Sequence, residues 1–450
     1  MNSLFLQGLM FSALVIGILA FLAWWLYLSP IRQAAANGSA AAVQRDKVGA
    51  ISSRLSYTLA LLIGVGSLLI SFGGYWDASE HVVTGIVPGG EDFLWPPHLM
   101  LYGGFLLAFV VALGGLIALA RNSLRLGIKD PRLWVRRNPY VGAVVLIAGY
   151  GLLSIPGDAI WHELYGVDLT AWSAPHVFLA VAATSLSISA IGLLLRGSTR
   201  ETKGERSPEP SSSPIRSSAL DSRRPDLAWH RISAVASKTE WFNLVKLFYI
   251  SMGLLLFLAI GTIEWEIDVV AKLVAQRPVW LYPTIIGVSS FVLLIMARRI
   301  VPGPWTATIL ALFYFGLRSA VTAFAEVVSG APPRMTLVFI LGALLLDLTC
   351  QWMARFGFKT RDWQFRLAVA GAFMVGYTLV AQPTIAFFLL QYLPPFTVLD
   401  HLLTALFTFL LCAALYPVAL GLGGWLQESA GEESETLQEF PETGTVPAKG

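Results

Sequence analysis

Pro97-His-Leu-Met-Leu-Tyr-Gly-Gly-Phe-Leu-Leu-Ala-Phe-Val-Val-Ala-Leu-Gly-Gly-Leu-Ile-Ala-Leu-Ala120 contains no Asp, Glu, Lys or Arg and stops at Arg121. About 20 such residues, wound as an α-helix, cross the roughly 30 Å hydrocarbon core of a bilayer. Proline suits the first turn of a helix, where its missing N–H is not needed. The stretch therefore predicts a membrane-spanning helix that opens at proline.

The rest of the chain follows the same pattern. Of its 450 residues, 56% are hydrophobic and only 13% are charged, and mean hydropathy is +0.66. Soluble globular chains carry about 25% charged residues. The composition predicts an all-α, polytopic membrane bundle whose first partner is the lipid bilayer. Apolar runs place eleven spans at approximately 4–28, 55–75, 97–120, 140–157, 174–196, 247–265, 279–297, 305–325, 336–354, 367–390 and 397–424. The run from Leu4 to Leu28 is long for a leader core and has no positive segment before it, so it reads as a first span. Pro383 predicts a kink in the tenth span. A net charge of +3 with no basic patch gives no reason to expect nucleic acid. Cys350 and Cys412 both fall in apolar runs and predict no disulfide framework.

Lys and Arg gather in alternate loops: Arg32 to Arg54, Arg121 to Arg137, Arg200 to Lys238, Arg298 with Arg299, and Arg355 to Arg366. The positive-inside rule makes these loops cytoplasmic, in a cell membrane, with the N-terminus outside and the C-terminus cytoplasmic. The expected divisions are a five-span half at 1–196, a flexible cytoplasmic linker at 197–246, a six-span half at 247–425 and an acidic disordered tail at 426–450. Ser-Pro-Glu-Pro-Ser-Ser-Ser-Pro at 207–214 marks the linker.

After the first span the chain reads as five hairpins, each with its second helix opening near proline: Pro96-Pro97, Pro175, Pro278, Pro332-Pro333 and Pro394-Pro395. The first two carry the chemistry. One runs Asp77-Ala-Ser-Glu-His81, then Asp92-Phe-Leu-Trp95-Pro-Pro-His98; the other runs Asp158-Ala-Ile-Trp-His162, then Asp168-Leu-Thr-Ala-Trp172-Ser-Ala-Pro-His176. They hold four of the chain's 6 histidines. Residues four apart share a helix face, and a hairpin returns the next helix beside it. Asp77, His81 and His98, and likewise Asp158, His162 and His176, thus form two candidate three-ligand metal sites with open positions, the pattern of a reactive centre. Imidazole and carboxylate suit copper, iron or zinc, and the ligand set alone does not choose. Glu80, Asp92, Glu163 and Asp168 are candidates to orient the imidazoles from behind. Trp76, Trp95, Trp161 and Trp172 fit an interfacial aromatic belt. Hairpin three offers Glu264, Glu266 and Asp268, hairpin four Glu326 and Arg334, and hairpin five only Asp400-His401.

Asp77-Ala-Ser-Glu-His81, Glu91-Asp92-Phe and Pro97-His98-Leu-Met-Leu-Tyr102 resemble the metal-binding stretch of the C subunit of membrane-bound copper methane and ammonia monooxygenases. Asp158-Ala-Ile-Trp161-His162 with His176 resembles it as well, with Trp161 in the family's Trp position. Each match covers about 30 residues, and the motif occurs twice where that subunit carries it once. The resemblance implies copper at Asp77, His81 and His98, and again at Asp158, His162 and His176. It also implies other membrane subunits as partners and a monooxygenase-like oxidoreductase component as the activity.

Other readings of the same residues are a metal-ion transporter or copper-handling protein, a haem protein with paired histidines, and a scaffold with structural histidines. Axial haem histidines normally face each other within spans, whereas these cluster at loop ends. Arg318 and Asp347 both fall mid-span in one hairpin and predict a buried ion pair between its helices.

Overall fold

Within a bilayer no water satisfies backbone N–H and C=O groups, so apolar runs must pair them internally. The computed structural model describes residues 17–18, 20–29, 51–84, 95–125, 127–165, 174–205, 241–258, 278–330, 339–383 and 397–430, and no strand occurs among them. The helices are α1 (Ser53–Thr84), α2 (Pro96–Arg125), the short α3 (Pro131–Arg137), α4 (Pro139–Tyr165), α5 (Ala174–Glu205), α6 (Trp241–Leu258), α7 (Leu281–Ile300), α8 (Thr306–Ser329), α9 (Ile340–Arg355), α10 (Trp363–Gly376) and α11 (Val398–Ala430). Among the described residues, 9 helices are long and apolar enough to cross a membrane. The chain is an all-helical, multi-pass membrane protein. Two further expected spans differ: 4–28 lies largely outside the described residues, and 336–354 is represented by α9, of 16 residues.

α1 packs along α2 and α5, α2 along α4, and α4 along α5, which makes one group of helices. α6 joins it where the Tyr249 hydroxyl donates to Ala60 O at 2.8 Å. α7 to α11 form a second group, with α7 against α11, α9 against α10 and α8 against α9. The groups meet where α8 lies on α1 and α11 on α5. α1 and α2 approach closely because glycines face backbone. A Cβ on Gly66 would stand 2.8 Å from Gly104 O, and one on Gly73 would stand 2.6 Å from Leu101 N. Without a hydrophobic force between helices in lipid, such small-residue contact drives association.

Three local features go beyond or depart from expectation. α5 continues to Glu205, past the expected linker start at 197, because Glu201, Lys203 and Glu205 are good helix formers and no proline intervenes before Pro208. The segment 206–240, the remainder of that linker up to α6, lies outside the described residues, as does 431–450 of the expected tail. Before Pro383, the chain adopts π winding at Tyr377–Ala381, and Gln382 N donates to Tyr377 O. Proline lacks the N–H and crowds the preceding turn, so the helix rewinds ahead of it. Finally, the basic loop after α2 does more than carry charge. Arg132 donates to Ser29 Oγ at 3.3 Å and Arg136 Nε to Leu26 O at 2.9 Å, so cations meet the exposed carbonyl end of the first helical segment.

Candidate metal centre

His98 is the third residue of α2, after Pro96 and Pro97, and Leu99 N donates to Trp95 O to start the helix. Asp77 lies on α1 one turn beyond Gly73. Gly73 brings the α1 backbone against Pro97 and Leu101, so the residue one turn on faces the mouth of α2. There His98 Nε2 stands 3.2 Å from Asp77 Oδ1. The two side chains keep 22% and 20% of their exposure. The other ring nitrogen, His98 Nδ1, is buried with no hydrogen-bond partner among the described residues.

Aromatic rings hold this imidazole. Trp95 meets it edge-on, with centroids 5.3 Å apart, and Tyr102, one helical turn on, stacks at 5.5 Å with 27° between planes. Trp95 and Trp76, two of the tryptophans expected in an interfacial belt, thus also make contacts within the protein. Trp76 Nε1 donates to Glu80 Oε1 at 3.1 Å and sits edge-on to Phe324 of α8. Glu80, a candidate to orient an imidazole, therefore accepts from an indole.

Of the first predicted set, the structure brings Asp77 and His98 together. The His81 backbone continues α1 one turn past Asp77, and its side chain lies outside the described residues. Of the second set, Asp158 and His162 lie on α4 and His176 is the third residue of α5, but all three side chains lie outside the described residues, as do that of Glu163 and all of Asp92, Asp168 and Trp172. Among the described residues no group of three His, Cys, Asp or Glu side chains assembles as a metal cluster.

The expected Arg318–Asp347 pair does not form. Asp347 is fully buried and pairs instead with Arg298 at the end of α7. It also caps α8, accepting from Thr308 N and Thr308 Oγ1, each at 2.8 Å, and from Ala307 N at 3.4 Å. Asp347 thus lies at the depth of the α8 N-terminus. Arg318 lies ten residues further along α8, roughly 15 Å away at 1.5 Å per residue. Its guanidinium sits instead over the Tyr75 ring of α1, 4.4 Å from the centroid. Asp400 has a local role: Thr397 N donates to Asp400 Oδ2 at 2.9 Å, and Asp400 N donates back to Thr397 Oγ1 at 3.2 Å, closing the first turn of α11. Both cysteines are free and buried.

Sequence reasoning missed Gly73, the Tyr102 stack and the Arg298 partner of Asp347. Tyr102 was accessible as the residue four beyond His98; the other two depend on how helices pack. No protein-family model, curated protein or solved structure matches the chain.

Proposed function

We propose that the chain is an integral membrane metalloprotein that binds a transition metal at Asp77, His81 and His98, with a second such site at Asp158, His162 and His176. The observation that carries this reading is the His98 imidazole. One nitrogen stands beside Asp77 from another helix, and the other is a buried atom without a hydrogen-bond partner among the described residues. Leaving a buried ring nitrogen unmet costs about 1–3 kcal/mol, which a bound partner would relieve. Imidazole and carboxylate form a donor set that fits copper, iron or zinc. Resemblance to the copper monooxygenase C subunit makes copper the first metal to test and an oxidoreductase component the first activity. When bound, such a metal would supply redox or Lewis-acid chemistry at a site that the surrounding rings keep partly dry.

The chain is read as about eleven spans built from repeated hairpins, with both sites at the outer face, the N-terminus outside and the C-terminus cytoplasmic. Alternating loop charge supports that orientation, and proline-started helices support the repeat. Elemental analysis of protein purified without chelator and then loaded with copper tests the function. The expected result is up to two equivalents per chain, with one lost in His98→Ala and one in His162→Ala. Wild-type protein that retains no copper, iron or zinc would overturn the proposal.

A further inference from the structure

We infer that the end of α1 and α2 opposite His98 binds an anionic phospholipid, with Arg54, Arg121, Arg125 and Lys129 around its headgroup. α1 and α2 run antiparallel. A Cβ on Gly73 would stand 2.6 Å from Leu101 N at one end, and one on Gly115 would stand 2.8 Å from Leu59 Cδ1 at the other. Arg54 lies five residues before Leu59 and Arg121 six after Gly115. At 1.5 Å per residue the two arginines come level to within about 2 Å along the helix axes. Arg125 follows one turn beyond Arg121 on the same face. Gly127, at φ 75°, then ends α2: Gly127 N donates to Leu124 O and Ile128 N to Ser123 O, each at 3.0 Å. Trp134 Nε1 donates to Ile128 O at 2.9 Å, so the turn holds Lys129 just beyond the last turn of α2. All four cations are exposed, and none has an ion-pair partner among the described residues. Asp130, the only acid between Asp92 and Asp158, is engaged by Arg132 at 2.7 Å. Net charge alone indicates no basic patch; the packing of α1 on α2 makes one.

The same face of α2 continues as an apolar strip. Leu106, Val110, Leu113 and Ile117 are exposed at helical spacing, and Arg121 follows four residues after Ile117. From Leu106 to Ile117 the strip rises about 17 Å, close to half of the roughly 30 Å hydrocarbon core. Cations capping an apolar strip fit a molecule with a phosphate at one end and acyl chains at the other. Each Lys or Arg beside a span favours anionic lipid about fivefold.

The test is lipid retention by the full chain in neutral detergent, read by native mass spectrometry. Phosphatidylglycerol and phosphatidylcholine with matched chains are supplied at equal concentration. Wild type should retain phosphatidylglycerol in preference. Arg54→Gln, Arg121→Gln, Arg125→Gln and Lys129→Gln should each cut that preference about fivefold, and the quadruple variant should abolish it. Should the quadruple variant fail to fold, the single variants decide. Arg355→Gln/Arg361→Gln, in another basic loop, should leave the preference unchanged. Equal retention of the two lipids by wild type, an unchanged preference in the four variants, or an equal loss in the control would overturn the inference and leave the metal site untouched. So would release of the lipid by inorganic phosphate at an ionic strength where chloride releases none, since the ligand would then be a free anion.

Discussion

Two helix-crossing carboxylates, one in each group of helices, invite comparison. Asp347 on α9 meets Arg298 of α7 and the first turn of α8, and its side chain is fully buried. Asp77 on α1 meets His98 of α2, and both side chains stay about one-fifth exposed. Around Asp347 a guanidinium, two backbone N–H groups and a hydroxyl converge on one carboxylate. Around His98 the second ring nitrogen is buried without a partner among the described residues. A saturated cluster has little left to offer a ligand and acts to hold helices. The cluster around His98 has a ring nitrogen with no hydrogen-bond partner among the described residues, and the proposed metal site falls there.

The largest expected effect is on the saturated side. Asp347→Ala should lower unfolding stability by about 3 kcal/mol, because it leaves Arg298 and the α8 N-terminus without their acceptor. Unfolding in mixed micelles would measure it, and metal content should not change. The same loss of stability from His98→Ala would erase the distinction between the clusters. Gly73→Ala comes next. Its Cβ would meet Leu101 N at 2.6 Å, so α1 and α2 must separate, at about 1–3 kcal/mol. Metal affinity should fall with it, whereas Gly103→Ala, facing open space, should change neither.

The smallest effect lies away from both. Asp130 N-caps α3, accepting from Arg132 N at 2.9 Å, and the Arg132 guanidinium holds its carboxyl below the usual carboxylate range. A depressed folded pKa stabilises above the unfolded value of about 3.9 and loses that contribution as pH falls through the folded value. Asp130→Ala should cost about 1 kcal/mol at neutral pH. Its deficit against wild type should hold down to about pH 5 and close only below about pH 4. A deficit that closes nearer pH 6 would contradict the assignment.

What was legible follows from which contacts are local. Spans such as Pro96–Arg125 are written in uninterrupted hydropathy, and the meeting of Asp77 with His98 follows from helix period plus a hairpin return. The pairing of Asp347 was misread because both it and Arg318 fall mid-span by count. Depth is set by the short turn Val301–Trp305, which puts Arg298, Thr308 and Asp347 at one level and Arg318 three turns away. The contact of Trp76 with Phe324 was not legible, because composition does not say which side of a helix a neighbour covers. Only the packing of α8 on α1 turns Trp76 inward, toward Phe324. Gly73 carried no signal of its own, since its value lies in the backbone of another helix.

The account turns on whether the cluster around His98 receives a metal while the cluster around Asp347 does not. A ligand that binds only the folded chain raises its stability, by about 2.7 kcal/mol at a hundredfold excess over Kd. The most direct measurement is the shift in thermal unfolding when copper is added to wild type, to Asp347→Asn and to His98→Ala/His162→Ala. Copper should raise the unfolding temperature of wild type and of Asp347→Asn by similar amounts and leave the double histidine variant unmoved. No shift in wild type, or an equal shift in the histidine variant, would contradict it.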